Sequence, residues 1–253
     1  MRSQRAMVET VPYFVAPDDP ELLCEDKQYP GKTCPVKAYL ARPKRDERHS
    51  GVLVIHALGG INEHFKDIAR RLAKEGWVGL VPDLLSRAGG RERFENRNEA
   101  MRVVRALSPD QVSEDLLSGM EYLKTLSYVD PRKIGVIGFC WGGSQSLYLQ
   151  TKAKGLSAGV VFYGHNPDDL ESVKNLDWPF LGIYADEQLD PKITGKVPEL
   201  ERAFKRHGKR YSIHIYPGAA HAFHTNDNPE WYHPEAARDA WTKTVDFFKE
   251  NMG

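Results

Sequence analysis

The segment from Ile134 to Ser144 constrains the fold of this chain more than any other stretch of the sequence. It begins with apolar residues that favour β structure, ends in Gly-x-Cys-x-Gly around Cys140, and leads into a helix-compatible segment. Glycines two residues before and two residues after Cys140 permit a sharp turn, because a strained residue there needs neighbours without Cβ atoms. The segment therefore predicts a strand, a sharp turn and a helix in direct succession.

Cys140 lies at that turn, and its position makes it a candidate nucleophile. At the N-terminus of a helix, the helix dipole and the free backbone N–H groups favour the thiolate form of a cysteine. A buried structural cysteine is the alternative, since that is the commonest fate of a free thiol. The glycine spacing favours the nucleophile, provided that an acid and then a histidine follow later in the chain.

Composition and charge limit the classes of function. The 253 residues suffice for one α/β domain with a large core, and contents of 41% hydrophobic and 10% aromatic residues exclude general disorder. Lysine plus arginine equals aspartate plus glutamate at 35 each, so no net charge favours nucleic acid or an acidic membrane as a partner. No apolar run approaches the roughly 18 residues that span a bilayer, and no signal-peptide core follows the first eight residues. We expect a cytoplasmic protein that acts on a small molecule.

Cysteine usage agrees with a reducing compartment. Cys24 and Cys34 flank a Tyr29-Pro30-Gly31 turn, where a hairpin would place them opposite each other. We nevertheless expect both to stay reduced, because unpaired cysteines are the usual state in such a compartment.

Patterns of buried strands alternate with patterns of amphipathic helices along the chain. Residues 1–50 read as an N-terminal extension with strands at Val11–Val15 and Val36–Leu40 and a turn at Pro17–Pro20. Further strands are predicted at Val52–His56, Trp77–Pro82, Ile134–Phe139, Ala158–Tyr163, Phe180–Ala185 and Tyr211–Tyr216, and helices around Phe65–Leu72 and at Val112–Leu126, Val197–His207 and Pro234–Lys249. This alternation predicts a single α/β domain over residues 1–253, with a doubly wound, mostly parallel sheet and helices on both faces.

Candidates for the acid and the histidine follow Cys140 in the required order. His221 lies directly after the last predicted strand, and loops beyond the carboxyl ends of parallel strands converge on one crevice. The predicted strand Phe180–Ala185 is followed by two aspartates. Asp190 is the favoured candidate for the acid, and Asp186 is the alternative. A thiol nucleophile needs a base, and the base needs a third group that fixes its tautomer. Cys140, His221 and Asp190 are therefore predicted to form a catalytic triad.

A tetrahedral intermediate of acyl transfer also needs backbone N–H donors aimed at its oxygen. Trp141, directly after Cys140, and Leu58, in the glycine-rich loop after the first core strand, are the predicted donors. Four arginines lie between Ser86 and Asn98, namely Arg87, Arg91, Arg93 and Arg97. We expect most of them to be solvated, although such a loop beside an active site can supply an arginine that binds a carboxylate.

The sequence resembles the dienelactone hydrolase family of α/β-hydrolases over roughly residues 36 to 250. The resemblance rests on four stretches: His56–His64 (HALGGINEH), Val81–Arg87 (VPDLLSR), Gly138–Gly143 (GFCWGG) and Tyr216–Phe223 (YPGAAHAF). It implies the α/β-hydrolase fold, with Cys140 at its nucleophile elbow. It also implies a triad of Cys140, Asp190 and His221 that hydrolyses esters or lactones without a metal or an organic cofactor.

Two positions depart from the pattern of family members that act on dienelactone. Those members carry a glutamate where this chain has Ala57, and an arginine shortly after the catalytic histidine, where this chain reads Phe223-His224-Thr225. In the family, that glutamate is thought to turn the resting thiol away from the histidine. Its absence predicts that Cys140 faces His221 directly, as a thiolate paired with imidazolium. The two departures leave the identity of the substrate undecided. The alternative to a hydrolase is a non-catalytic protein that binds a ligand or senses thiol chemistry, with Cys140 as a redox switch.

Overall fold

The strands of the protein form one sheet in the computed structural model, which describes residues 15–253. They are β1 (Leu22–Pro30), β2 (Pro35–Pro43), β3 (His49–Ile55), β4 (Val78–Pro82), β5 (Val129–Phe139), β6 (Ala158–Phe162), β7 (Phe180–Tyr184) and β8 (Tyr211–Ile215). Their spatial order is β1-β2-β4-β3-β5-β6-β7-β8. Strand β2 is antiparallel to both of its neighbours, and the other pairs are parallel. The doubly wound, mostly parallel sheet predicted from the sequence is confirmed.

Helices cover both faces of the sheet. They are α1 (Glu63–Lys74), α2 (Arg97–Ala106), α3 (Pro109–Thr125), α4 (Trp141–Lys152), α5 (Val197–Arg206) and α6 (Pro234–Met252). Helices α1 and α6 bury their apolar residues against one face, and α3, α4 and α5 bury theirs against the other. Strands β3, β4, β6 and β7 are buried along their whole length, as expected when helices cover both sides of a parallel sheet.

The course of the chain through the sheet fixes where a site can form. From β3 the chain moves outward to β4, and it then returns to the other side of β3 to make β5. The loops after β3 and β5 therefore leave the sheet in opposite directions and open a crevice between them, which is where α/β sheets bind ligands. The loop after β3 carries Leu58, and the turn after β5 carries Cys140.

The N-terminal hairpin differs from the prediction. The strand predicted for Val11–Val15 lies outside the described residues apart from Val15, and the partner of β2 is β1, which the sequence analysis did not assign. Cys24 pairs in register with Ala41, whereas Cys34 lies in the turn, so the two cysteines do not lie opposite each other. Both are free thiols. The strand was missed because it is a partly exposed edge strand whose polar residues obscure the alternation of burial.

Helix α2 was not predicted from the sequence, from which no helix or strand was assigned between Pro82 and Val112. Only Ala100 and Val104 of this helix are buried, and they form a small cluster with Leu85 apart from the main core. Two buried positions give too weak a periodic pattern to identify a helix. The start of α2 is nevertheless marked in the sequence by Asn96, a residue type that favours the N-cap position. In the structure, its side chain accepts a hydrogen bond from the backbone N–H of Glu99 (3.0 Å).

Candidate active site

Cys140 lies between the end of β5 and the first residue of α4. Its backbone has φ 56° and ψ −120°, a conformation that residues with side chains rarely adopt. The N–H of Cys140 donates a hydrogen bond to the carbonyl oxygen of Phe162 on β6 (3.0 Å), which helps to hold this strained turn. The thiol therefore stands at the N-terminus of α4, as the sequence predicts.

The two glycines that flank Cys140 are required by close packing. A Cβ atom on Gly138 would overlap the carbonyl oxygen of Gly142, and a Cβ atom on Gly142 would overlap the carbonyl oxygens of Ile55 and His56. The first turn of α4 thus rests directly on the end of β3. This contact brings the turn with Cys140 next to the loop with Leu58.

The structure brings the three predicted triad side chains together. The Cys140 Sγ atom lies 3.0 Å from His221 Nε2, and His221 Nδ1 lies 2.7 Å from Asp190 Oδ2. Because the carboxylate accepts a hydrogen bond from Nδ1, Nε2 faces the sulfur in the orientation that proton transfer requires. The direct contact between Cys140 and His221 is the one expected from alanine at position 57.

Asp186, the other aspartate considered, has different partners. Its Oδ2 atom accepts a hydrogen bond from the N–H of Gly218 (2.7 Å), and its Oδ1 atom accepts one from the N–H of Gln188 (2.8 Å). These two bonds lower the pKa of Asp186. Its own N–H donates to the carbonyl oxygen of Ala219 (2.8 Å). Asp186 therefore joins the loop after β7 to the loop that carries His221, without contacting the imidazole.

His221 is positioned to be an imidazolium at neutral pH. Burial alone would lower its pKa, but hydrogen bonds to Asp190 and Cys140, together with their negative charges, raise the pKa of His221 to about 9. With this pKa, the imidazolium keeps its proton through the neutral range and loses it only as the pH rises toward 9. The group that would protonate a leaving alkoxide is thus charged at physiological pH.

A cavity of about 630 Å³ opens beside Cys140 and His221. Its walls are mostly apolar, and they include Leu58, Phe65, Met101, Phe139, Tyr163 and Trp231. Among the described residues, the non-glycine residues with positive φ are Cys140, Tyr163 and Ala222, and all three line this cavity. Backbone strain tends to be kept at functional sites, so its concentration here supports this cavity as the binding site.

The arginines of residues 87–97 have separate environments. Arg87 forms an ion pair with Asp115 (2.8 Å), and Arg91 donates hydrogen bonds to the carbonyl oxygens of Gly59 (2.9 Å) and Phe94 (2.7 Å). Arg97 instead lines the cavity, with its guanidinium 5.3 Å from the centre of the Trp231 ring. Within residues 15–253, no carboxylate lies at ion-pair distance from Arg97.

The predicted oxyanion donors occupy the expected loops. Leu58 lines the cavity beside Cys140, and Trp141 is the first residue of α4. Neither of their N–H groups has a hydrogen-bond acceptor among the residues that the structure describes. Both groups are therefore available to a bound molecule.

Met101, Tyr163 and Trp231 line the cavity but were not predicted as site residues, and Arg97 was predicted only as one of four arginines that could bind a carboxylate. Arg97 and Met101 lie four residues apart on α2 and so face the same side of this helix. The capping pattern Asn96-x-x-Glu99 was the available signal for that helix. Tyr163 and Trp231 carry no comparable local signal, because the fold alone brings them to the cavity.

Residues 15–253 contain neither a membrane-spanning helix nor a metal-binding cluster. No helix in this part of the chain is both long and apolar enough to cross a bilayer. No group of three or more histidine, cysteine, aspartate or glutamate side chains has an arrangement that would hold a metal ion.

The sheet order, the strand–turn–helix at Cys140 and the position of the crevice define an α/β-hydrolase. The family model of the dienelactone hydrolase family matches residues 36–252. The chain belongs to that family.

Known relatives share most of the length of the chain. A Saccharolobus solfataricus protein assigned as a carboxymethylenebutenolidase is 32% identical over 249 residues, which cover 85% of this chain and 93% of the relative. A Bradyrhizobium protein assigned as a 2-oxo-3-(5-oxofuran-2-ylidene)propanoate lactonase is 33% identical over 226 residues, which cover 85% of this chain and 89% of the relative. The crystal structure of a Klebsiella pneumoniae protein assigned as a dienelactone hydrolase matches with a TM-score of 0.82 at 26% identity, over 90% of this chain and 98% of that one.

Proposed function

We propose that the protein is a cysteine-dependent hydrolase of carboxylic esters or lactones. The observation that carries this proposal is the continuous contact from Asp190 through His221 to Cys140, with distances of 2.7 Å and 3.0 Å, at the edge of a largely apolar cavity. Asp190 orients His221, and His221 is the base for the nucleophile Cys140. This is the arrangement that covalent acyl transfer requires. Membership of the dienelactone hydrolase family supports the same reaction class.

The reaction takes place in two halves. The Cys140 thiolate attacks the substrate carbonyl, and the carbonyl electrons move to oxygen to form a tetrahedral oxyanion. As the oxyanion collapses, the C–O bond of the ester breaks, the His221 imidazolium gives its proton to the leaving alkoxide, and a thioester remains on Cys140. Neutral His221 then takes a proton from water, the hydroxide attacks the thioester, and the second oxyanion expels the thiolate. In a lactone, the leaving alkoxide stays attached to the acyl group.

The oxyanion of each half needs hydrogen-bond donors. The N–H groups of Leu58 and Trp141, which have no acceptor within residues 15–253, are the proposed donors. Donors held in place before the reaction stabilise the developing charge at little reorganisation cost, and they are commonly the largest single contribution to catalysis.

Arg97 is the proposed anchor for an anionic group on the substrate. An arginine that faces an apolar cavity without a carboxylate partner is suited to bind a carboxylate through two parallel hydrogen bonds. The lactones in the names of the two curated relatives are compatible with such a group. In this chain Arg97 would serve the purpose of the arginine that is missing after His221.

The Arg97→Gln variant should lose tenfold to a hundredfold in kcat/KM on a lactone that carries a carboxylate, which corresponds to about 1.4–2.7 kcal/mol, the size expected for a lost charge-assisted hydrogen bond. Turnover of a neutral aryl ester of similar size should stay near the wild-type value. The Arg102→Gln variant is the matched control, since Arg102 is an exposed arginine of the same helix. Equal losses on both substrates would show that Arg97 does not read the substrate's charge.

Turnover of an activated aryl ester tests the proposed function itself. We expect many equivalents of product per protein and a transient acyl group on Cys140 that mass spectrometry detects after rapid acid quenching. A thiol sensor would release a single equivalent of product and then stop. That outcome would favour the non-catalytic alternative.

A further inference from the structure

His56 is a fully buried histidine that the proposed mechanism does not use. It follows β3 directly and has no exposed surface. Burial lowers its pKa, and the nearby negative charge of Asp83 offsets this only in part. A neutral imidazole enclosed in this way must satisfy both of its ring nitrogens inside the protein.

The partners of His56 fix its tautomer. Its Nε2 atom lies 3.2 Å from the N–H of Leu84, a group that can only donate, so Nε2 is the unprotonated acceptor. Its Nδ1 atom lies 2.8 Å from the carbonyl oxygen of Ala57, a group that can only accept, so Nδ1 carries the proton. The ring therefore donates to the carbonyl of the residue that follows it in the chain.

This hydrogen bond acts on the peptide group that contains the N–H of Leu58. The carbonyl of Ala57 and the N–H of Leu58 belong to one planar trans peptide, so they point in opposite directions. The same carbonyl accepts a second hydrogen bond from the N–H of Gly60 (3.1 Å). Two donors hold the carbonyl of Ala57, so the N–H of Leu58 points away from both of them. Leu58 lines the cavity beside Cys140.

His56 also contacts the other proposed donor residue. Its ring stacks on the ring of Trp141 at 6.0 Å between centroids and 24° between planes. In addition, the first turn of α4 packs so tightly on the backbone of His56 that a Cβ atom at Gly142 would overlap the His56 carbonyl oxygen. One buried side chain thus touches both halves of the proposed oxyanion hole.

We infer that His56 is a positioning residue for the oxyanion hole, which holds the Ala57–Leu58 peptide so that the N–H of Leu58 faces the substrate oxygen. The inference rests on the proposed function. It assigns His56 no contact with substrate and no proton transfer. It accounts for a buried histidine, with both nitrogens bonded, between the two loops that the reaction needs.

Three variants separate the two hydrogen bonds of His56. Asparagine places an amide near the position of Nδ1 and can still donate to Ala57. Glutamine places its amide near Nε2, where it can accept from Leu84, but the Ala57 carbonyl then loses its side-chain donor and keeps only the N–H of Gly60. Phenylalanine keeps the stacking on Trp141 and loses both bonds.

The readouts are ester hydrolysis and alkylation of Cys140 by iodoacetamide, with the alkylated residue identified by mass spectrometry. Alkylation needs the same thiolate but forms no oxyanion. His56→Phe and His56→Gln should lower kcat for an aryl ester by about 10²-fold, the effect of losing one oxyanion donor, with little change in KM. His56→Asn should recover most of that loss. The alkylation rate should stay within about twofold of the wild type in all three, because the nucleophile is unchanged.

Equal losses in hydrolysis and alkylation would overturn the inference, as would an asparagine variant no better than phenylalanine. If the variants fail to fold, ¹⁵N NMR of the wild-type imidazole gives an independent answer. A proton on Nδ1 and none on Nε2 is expected, and the opposite tautomer or an imidazolium would refute the assignment. Failure of the proposed function would look different, since the wild type would then turn over no ester while its tautomer remained measurable.

Discussion

Replacement of Asp190 by asparagine is expected to lower kcat for ester hydrolysis by roughly 10³-fold to 10⁴-fold, the size of the effect when a triad acid is neutralised. The amide can donate to Nδ1 of His221, which favours the tautomer with its proton on the wrong nitrogen. The variant also loses the charge and the hydrogen bond that raise the pKa of His221 to about 9. The activity that remains should therefore decline at a lower pH than in the wild type. A profile of kcat against pH from 6 to 10 measures both effects.

Asp186→Asn is the matched control, because the two aspartates lie in the same loop. Asp186 binds the backbone N–H groups of Gly218 and Gln188 rather than the imidazole, so its replacement should affect kcat much less and leave the upper limit of the pH profile in place. The reverse ranking of the two variants would reassign the acid to Asp186.

Replacement of Cys140 by alanine is expected to abolish hydrolysis, with a loss of about 10⁵-fold or more, because it removes the proposed nucleophile. The fold should persist, since the side chain becomes smaller at the mouth of a cavity and the turn keeps its flanking glycines. Hydrolysis of an aryl ester by purified protein, together with thermal unfolding, checks both statements. Undiminished turnover by the folded variant would end the proposal.

Cys140→Ser supplies the companion measurement. A hydroxyl is a far weaker nucleophile than a thiol at neutral pH, so this variant should retain little activity. It should also lose labelling by iodoacetamide at position 140, while Cys24 and Cys34 keep theirs. Near-normal activity of the serine variant would show that the site does not depend on thiolate chemistry.

Much of the sheet and part of the site were predictable, because short-range patterns specify them. The turn at Cys140 needs glycines at fixed spacing, and the clashes that a Cβ atom would cause at Gly138 and Gly142 explain why. The proximity of His221 to Cys140 was predictable from its place after the last strand, since the fold brings such loops to one crevice.

The sequence favoured Asp190 over Asp186 as the candidate acid but did not decide between them. Both follow β7, and the outcome depends on how the loop folds: the N–H of Asp190 donates to the carbonyl oxygen of Asp186 (2.8 Å), in a helix-like turn that presents Asp190 to the imidazole. The environments of the arginines were not predictable either. Arg91 and Arg97 are the same residue type a few positions apart, and they differ only in what lies next to them in the fold. The folded conformation of each loop and its contacts decide such questions, and no local pattern in the sequence encodes them.

The proposed reacting groups and part of the cavity wall belong to different structural elements, because α2 contributes to the wall but not to the proposed triad. The proposed nucleophile, acid and base follow strands β5, β7 and β8, whereas Arg97 and Met101 come from α2, whose buried residues Ala100 and Val104 form a small cluster with Leu85. Substitutions on the cavity side of α2 can therefore change the set of accepted substrates while the reacting groups keep their geometry. In a laboratory selection, substitutions on this face of α2 are expected to alter specificity at little cost to stability, because only Ala100 and Val104 of the helix are buried.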